Sequence, residues 1–304
     1  MKLFINDKQY RETLNKHFKD TIAFVDTKTE ADIIISGRFE ADDYHDHLKA
    51  VIIPYTGHDQ IDLETLKTKN VPLFNTTVHS KFVAEKAFAL LLALLGNVVN
   101  YHNNLKEGDW SDRHNPNRTP WVSLYNQRVG IYGYGRIGRF IRDMLEPFQC
   151  RVSVIDRGKD YPHVETVNDL ETLITNNDIL MIAAPLTEAT KHAFDQKHMK
   201  RMMGRYLVNV GRGEIIEEEA LYQALKDGVL KGFASDVWYQ YPSDDQPLQP
   251  SKFPIHDFDN VVISPHSGGH TTTSKGAMMA RVVEHIEHIK ANNYSDAIDL
   301  SRLK

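Results

Sequence analysis

Three stretches of this sequence carry residue types that can act together chemically. The first is GYGRIG (residues 133–138), which fits a G-x-G-x-x-G turn. A strand-like run, RVGIYG, precedes it, a helical pattern follows, and the next strand-like run, RVSVID, ends in Asp156. In that setting Gly133 allows the tight turn, Gly135 lets the backbone approach a pyrophosphate, and Gly138 lets the helix pack close to the sheet. Arg136 and Ile137 lie where the helix N-terminus offers N–H donors to phosphates. Asp156, 18 residues beyond Gly138, can accept from both adenosine ribose hydroxyls and repels a 2′-phosphate. NAD is therefore favoured over NADP, although Arg157 beside it is a residue type that can accept such a phosphate.

The other two stretches are VNVGRGE, with Arg212, and SPHSGG, with His266. Each follows a strand-like run, and the carboxyl ends of strands in a doubly wound sheet face the ligand crevice. The Arg212 guanidinium can hold a carboxylate with a planar fork, polarise a carbonyl oxygen and never deprotonate. An imidazole titrates near neutral pH, so His266 can give and take a proton. The chain has 15 histidines, so type alone does not single this one out.

Elements in the right order must hold these residues. KLFIN, DIIIS and AVIIP (residues 2–6, 32–36 and 50–54) read as short strands, and QIDLETLKTK as a helix, which predicts a small α/β unit. A long apolar helix is expected over residues 83–100. Residues 101–127, polar and rich in Asn, Pro and Trp, read as an irregular segment and a candidate dimer contact. From Arg128 the spacing predicts six strands joined by crossovers: RVGIYG, RVSVID, DILMIAAP, RYLVNVG, KGFASDV and NVVISP. A helix over residues 274–291 is expected to return to the first domain.

Composition restricts the alternatives. A chain of 304 residues suits two cores, and 41% hydrophobic with 25% charged residues excludes disorder. The net charge of -5 argues against nucleic acid as a partner. The one cysteine, Cys150, reads as a small apolar residue, and its solitude fits a reducing compartment. The N-terminus lacks a secretory pattern, and the uncharged part of residues 82–99 is too short for a bilayer, so a cytoplasmic location is expected. No metal pattern is found; His45 and His47 read as solvated surface.

With these motifs in place, the chain resembles the D-isomer-specific 2-hydroxyacid dehydrogenases over nearly its whole length. The resemblance rests on YTGHDQID near residue 55, VAEKAFALLLAL (83–94), GYGRIG, AAPLTEAT (183–190), VNVGRGEIIEEEAL (208–221), ASDVW (234–238) and SPHSGG (264–269). It implies an α/β protein with a doubly wound Rossmann-type NAD domain, residues 99–273, inserted into a smaller flavodoxin-like substrate domain, residues 1–98 and 274–304. It further implies a homodimer, a site in the cleft between the domains, and hydride transfer between NAD and a small 2-keto or 2-hydroxy acid.

The resemblance also assigns roles. Arg212 binds the substrate carboxylate and carbonyl, and His266 is the general acid and base. Ala184, Pro185, Val210, Gly211, Gly268 and Gly269 fall at the cofactor, and Asp236 near its nicotinamide. The backbone of Tyr55, Thr56 and Gly57 binds the substrate carboxylate. His79 stands where the family often has Asn, with a place at the substrate.

One position departs. The family carries a Glu five residues after the Asp of its DV motif, before a Pro; here that place holds Tyr241, followed by Pro242. A phenol can orient an imidazole but brings no charge, so reduction is expected to favour acidic pH. Two alternatives follow from the departure: an NAD(H)-sensing protein with weak turnover, and formate-type chemistry using Gln240. Trp238, Tyr239 and Tyr241 are candidate pocket aromatics.

Overall fold

The computed structural model describes residues 1–58, 60–113, 121–242 and 246–302. The chain divides into two compact units, Met1–Phe82 with Gly269–Lys304, and Val83–Gly268.

The first unit is built on a five-stranded parallel sheet of β1 (Lys2–Phe4), β2 (Ala23–Val25), β3 (Ile33–Ile35), β4 (Ala50–Ile53) and β5 (Leu73–Asn75), in the order β2-β1-β3-β4-β5. This is the flavodoxin-like order. Alternate side chains supply two cores. Leu3, Ile33, Ile35 and Ile52 pack with Leu14 of α1 (Lys8–Phe18) and with Met278, Met279, Val282, Ile286 and Ile289 of the C-terminal helix, Ser274–Lys290. Phe4, Ile34, Val51 and Ile53 face the other way, against Leu66 of α2 (Leu63–Thr68). A sheet covered on both faces explains the uninterrupted isoleucine runs. The sequence predicts three of these five strands; β2 (Ala-Phe-Val) and β5 (Leu-Phe-Asn) lack the isoleucine and valine runs that mark β3 and β4.

The second unit holds seven parallel strands: β6 (Arg128–Tyr132), β7 (Arg151–Ile155), β8 (Glu165–Val167), β9 (Ile179–Ile182), β10 (Arg205–Asn209), β11 (Leu230–Ser235) and β12 (Val261–Ile263). Their order, β12-β11-β10-β9-β6-β7-β8, is the doubly wound dinucleotide order with one further strand beyond β11. Six strands were expected; β8 is a mostly exposed edge strand with no apolar run to announce it.

The long apolar helix is two helices, α3 (Ser80–Leu95) and α4 (Val98–Lys106), bent by 60°. Asn97, with φ of 50° in the left-handed region, marks the break. This corrects two expectations. The span 101–127 is helical at its start and again at Ser111–Arg113, while its residues 114–120 lie outside the described residues. α4 buries none of its residues, so no core contact sets it apart from the irregular segment expected there. The unit boundary also falls at residue 82 rather than 98. Ala84, Ala87, Leu90, Leu91, Leu94 and Leu95 of α3 pack with Val129, Ile131 and Val154, so the helix serves the core of the second unit. The second boundary falls at Gly268–Gly269 instead of after residue 273.

No single described helix is long and apolar enough to cross a membrane. Cys150 is half-buried, its thiol donates to the Leu124 carbonyl at 3.2 Å, and burial raises its pKa.

Candidate active site

Because the strands of the second unit are parallel, their carboxyl ends share one edge of the sheet. That edge collects the turn after β6 (Gly133 to Gly138), Asp156 and Arg157 after β7, Ala184 and Pro185 after β9, Val210 to Arg212 after β10, Asp236 after β11, and the loop with His266 after β12.

The turn after β6 is a backbone construction. Gly133 has φ of +103°, and a side-chain carbon there would run into the backbone nitrogen of Ala184. Only glycine meets both demands. Helix α5 (Arg136–Leu145) starts directly afterwards, with Gly135 as its cap and Gly138 buried against the turn. Its first N–H groups, including those of Arg136 and Ile137, have no partner inside the helix. Nothing lies within 4 Å of the place a Gly135 side chain would take, so the helix end opens on free space. This fits a pyrophosphate cradle. Asp156 is exposed, its carboxylate accepting from the Gly158 N–H at 2.8 Å. Arg157 is also exposed; its charge lowers the phenol pKa of Tyr132, which burial raises by more.

The turn after β10 is held by a side chain. Asn209, 1% exposed, accepts from the Gly211 N–H and donates to the Arg212 carbonyl, each at 3.0 Å. The Arg212 guanidinium is half-buried and donates from Nη1 to the Gly211 carbonyl at 2.8 Å. Gly213 is pressed so closely on the Trp238 carbonyl that any side chain would collide with it. The arginine turn thus lies against the loop that leaves β11.

That loop and the one after β12 are tied together. Asp236, 2% exposed, accepts from Ser264 Oγ at 2.5 Å, the Ser267 N–H at 2.9 Å and the Gly268 N–H at 2.7 Å. Asp236, expected near the nicotinamide, is buried at the end of β11 and holds the His266 loop through these three bonds. The Trp238 indole donates to the Ser264 carbonyl at 2.8 Å, a second tie. His266 itself is exposed and has φ of +55°, a conformation that costs energy and persists only when neighbours impose it.

Tyr241 completes the corner. Its ring lies 5.3 Å from that of His266, centroid to centroid, tilted by 49°. Its hydroxyl accepts from the Trp238 N–H at 2.9 Å. Burial raises the phenol pKa; the Trp238 N–H and Arg212 pull it down and Asp236 pushes it up. Tyr241 thus packs by the His266 ring and feels the charge of Arg212, all three lying in the second unit. Trp238 is buried, and Tyr239 packs in the core with its hydroxyl on the Ile216 carbonyl at 3.1 Å, so neither is the pocket aromatic expected. Gln240 is fixed by its backbone N–H on the Pro250 carbonyl at 3.1 Å.

The remaining candidates lie in the first unit. Tyr55 follows β4 and rests against Gly37; Thr56 and Gly57 come next, and Asn75 donates to the Thr56 carbonyl at 3.1 Å. His79 precedes α3 beside Gly269, which falls in this unit and not with Gly268. Burial lowers the pKa of His79, and His270 lowers it further.

Sequence reasoning missed Asn209, Ser264 and the Trp238 backbone. Asn209 had a signal, an amide inside the apolar strand RYLVN that must find partners when buried. Among the described residues, Glu284, His288 and Asp296 offer ligand atoms within 4.8 Å of one another, but Arg281 ion-pairs with both carboxylates. His45 and His47 have rings 5.4 Å apart, and His45 is drawn to the Lys28 carbonyl at 3.3 Å.

Residues 88–268 match the family model described as "D-isomer specific 2-hydroxyacid dehydrogenase, NAD binding domain". The chain is 30% identical over 278 residues to a glyoxylate reductase of Thermofilum pendens, covering 88% of this chain and 78% of that protein. It is 31% identical over 265 residues to a hydroxypyruvate reductase of Thermotoga maritima, covering 86% and 81%. The fold also matches that of D-lactate dehydrogenase from Aquifex aeolicus, solved with NAD and lactic acid, with a TM-score of 0.82, 21% identity and 97% of each chain covered. The turn, the sheet order and these likenesses agree: the chain belongs to the D-isomer-specific 2-hydroxyacid dehydrogenase family and is an NAD-dependent oxidoreductase.

Proposed function

We propose that the enzyme interconverts a small 2-keto acid and its D-2-hydroxy acid, with Arg212 and His266 as the reacting pair. The observation that carries this is the corner itself. One side chain, Tyr241, touches the His266 ring and lies in the field of the Arg212 guanidinium. Bound NADH supplies the hydride, which adds to C2 of the keto acid. Arg212 pairs with the carboxylate and polarises the carbonyl, so the charge that grows on oxygen meets a fixed cation. His266, as imidazolium, gives its proton to that oxygen and leaves neutral; oxidation runs the same steps backwards. The backbone of Tyr55, Thr56 and Gly57 is the further carboxylate anchor, with His79 at the substrate.

Glyoxylate and hydroxypyruvate are the first substrates to try, because the relatives carry those names. The test is NADH oxidation at 340 nm with a panel of 2-keto acids, followed by chiral analysis of the product. D-Hydroxy acid formation, with kcat/KM lowered about 10³-fold in Arg212→Ala, is expected. An unaffected variant, or an L product, contradicts the reading. Tyr241 in the family's Glu position favours one other reading, an NAD(H) sensor. NADH binding without turnover of any panel member would establish it.

We also propose a cytoplasmic homodimer. Val98, Val99 and Leu105 on α4, with Trp110 and Trp121 beyond it, are 41–63% exposed, and such aromatic-rich apolar surface suits a protein interface. A monomeric mass by light scattering at micromolar concentration would refute it.

A further inference from the structure

The C-terminal helix carries a polar side chain on the face it buries. His285, 1% exposed, lies three, four and seven residues from Val282, Ile289 and Met278, which pack on the first sheet. A buried imidazole needs a partner, and this one has it at the end of β5. We propose that His285 is a positioning residue for the substrate loop, residues 55–57, and acts through Asn75. The inference rests on the backbone of that loop holding the substrate carboxylate, and it concerns the first unit alone.

The connection runs through two bonds. The Asn75 carbonyl can only accept, so the His285 Nε2, 3.2 Å away, carries a proton and donates it. The Asn75 amide in turn donates to the Thr56 carbonyl at 3.1 Å. The Thr56 hydroxyl donates to the Thr76 carbonyl at 3.5 Å, so the loop is tied twice to one strand end. That end needs outside support, because β5 is an edge strand. On one side the Thr76 N–H donates to the Ile53 carbonyl of β4 at 3.1 Å. On the other, the C-terminal segment stands in for a missing strand: the Ile298 N–H takes the Leu73 carbonyl at 2.7 Å, and His285 takes that of Asn75. Burial lowers the pKa of His285; the Asn75 carbonyl raises it, Arg281 lowers it, and Asp296 and Glu284 raise it, with a lowered value as the outcome. The imidazole is therefore neutral at pH 7, and its one proton faces Asn75. Its Nδ1 is buried and has no hydrogen-bond partner among the described residues, so a second proton there would gain none.

Three variants separate positioning from packing. His285→Leu fills the space without a donor, and His285→Met serves if that variant does not fold. His285→Gln keeps an N–H that reaches about as far as Nε2. Asn75→Ala removes the tie to Thr56 and leaves the backbone carbonyl. A carboxylate anchor holds substrate and transition state alike, so its loss raises KM and spares kcat. On the best keto acid, His285→Leu and Asn75→Ala should each raise KM about tenfold, with kcat within about threefold and NADH affinity kept. His285→Gln should stay within about threefold of wild type in KM. The double variant should be no worse than Asn75→Ala by more than about twofold, because both changes cut one chain of bonds. The Thr56 and Gly57 amide resonances give a readout that needs no substrate. They should move in His285→Leu and in Asn75→Ala and keep their wild-type places in His285→Gln. Wild-type KM and unmoved resonances in His285→Leu, a His285→Gln variant as impaired as His285→Leu, or additive effects in the double variant overturn the proposal. A wild-type enzyme inert to every keto acid breaks the functional reading alone; the resonances then decide whether His285 places the loop.

Discussion

The phosphate turn and the Arg212 corner occupy the same sheet edge, yet they are built from different materials. At Gly133 to Gly138 the shape is imposed by missing side chains: a positive φ, a close approach to Ala184, and a helix end left open. At the corner the shape is imposed by side chains acting on backbone: Asn209 on the arginine turn, Asp236 on the histidine loop, Tyr241 on the imidazole. The first construction tolerates no side chain at Gly133 or Gly138 and leaves a fixed spacing in the sequence. The second depends on side chains from three separate loops.

The largest effect that sharpens this contrast is at the turn. Gly133→Ala puts a methyl group into the Ala184 backbone at a φ that alanine resists. NADH affinity, followed by fluorescence titration, should fall about 100-fold, near 3 kcal/mol. Retained affinity would mean that the turn is not set by its glycine.

A smaller effect is expected at the corner. Asn209→Ala leaves the Gly211 N–H and the Arg212 carbonyl without their side-chain partner. The cost should be about 2 kcal/mol in urea unfolding and about tenfold in kcat/KM, with NADH affinity nearly kept. Equal losses in both functional parameters would show that the two constructions are not separable.

The smallest effect is one of pH. Backbone N–H groups do not titrate, so NADH affinity should stay within about twofold from pH 6 to 9. The rate of keto-acid reduction should fall as pH rises, since His266 must hold a proton to give it. Burial raises the Tyr241 phenol, which remains protonated through this range and adds no second step. Stopped-flow rates over the pH series, with chemistry limiting, check this; a flat profile would count against His266 as donor.

The same distinction explains what could be read in the sequence. Glycine spacing is chemistry written on adjacent residues, so the turn, its strands and the acid Asp156 were legible from one motif. Asn209 was legible in principle, as an amide in an apolar strand. Other features depend on partners far along the chain. The apolar run of α3 announces a buried helix without saying which core it joins, so the unit boundary moved from residue 98 to 82. The edge strand β8 and the exposed helix α4 bury no residue in a core, so no buried face announces them. Asp236 was recognisable as a strand-end acid, but its donors, Ser264, Ser267 and Gly268, lie 28–32 residues further on. Tyr241 stood out by position, while the direction of its hydroxyl, toward Trp238, is a fact of packing.

The central claim is that His266 delivers the proton beside Arg212. Its most direct test is single-turnover NADH oxidation in His266→Gln, at saturating 2-keto acid and with NADH affinity shown to be intact. The account predicts a rate about 10³-fold below wild type that no longer falls with rising pH. A variant that oxidises NADH at the wild-type rate, with the wild-type pH profile, would contradict it.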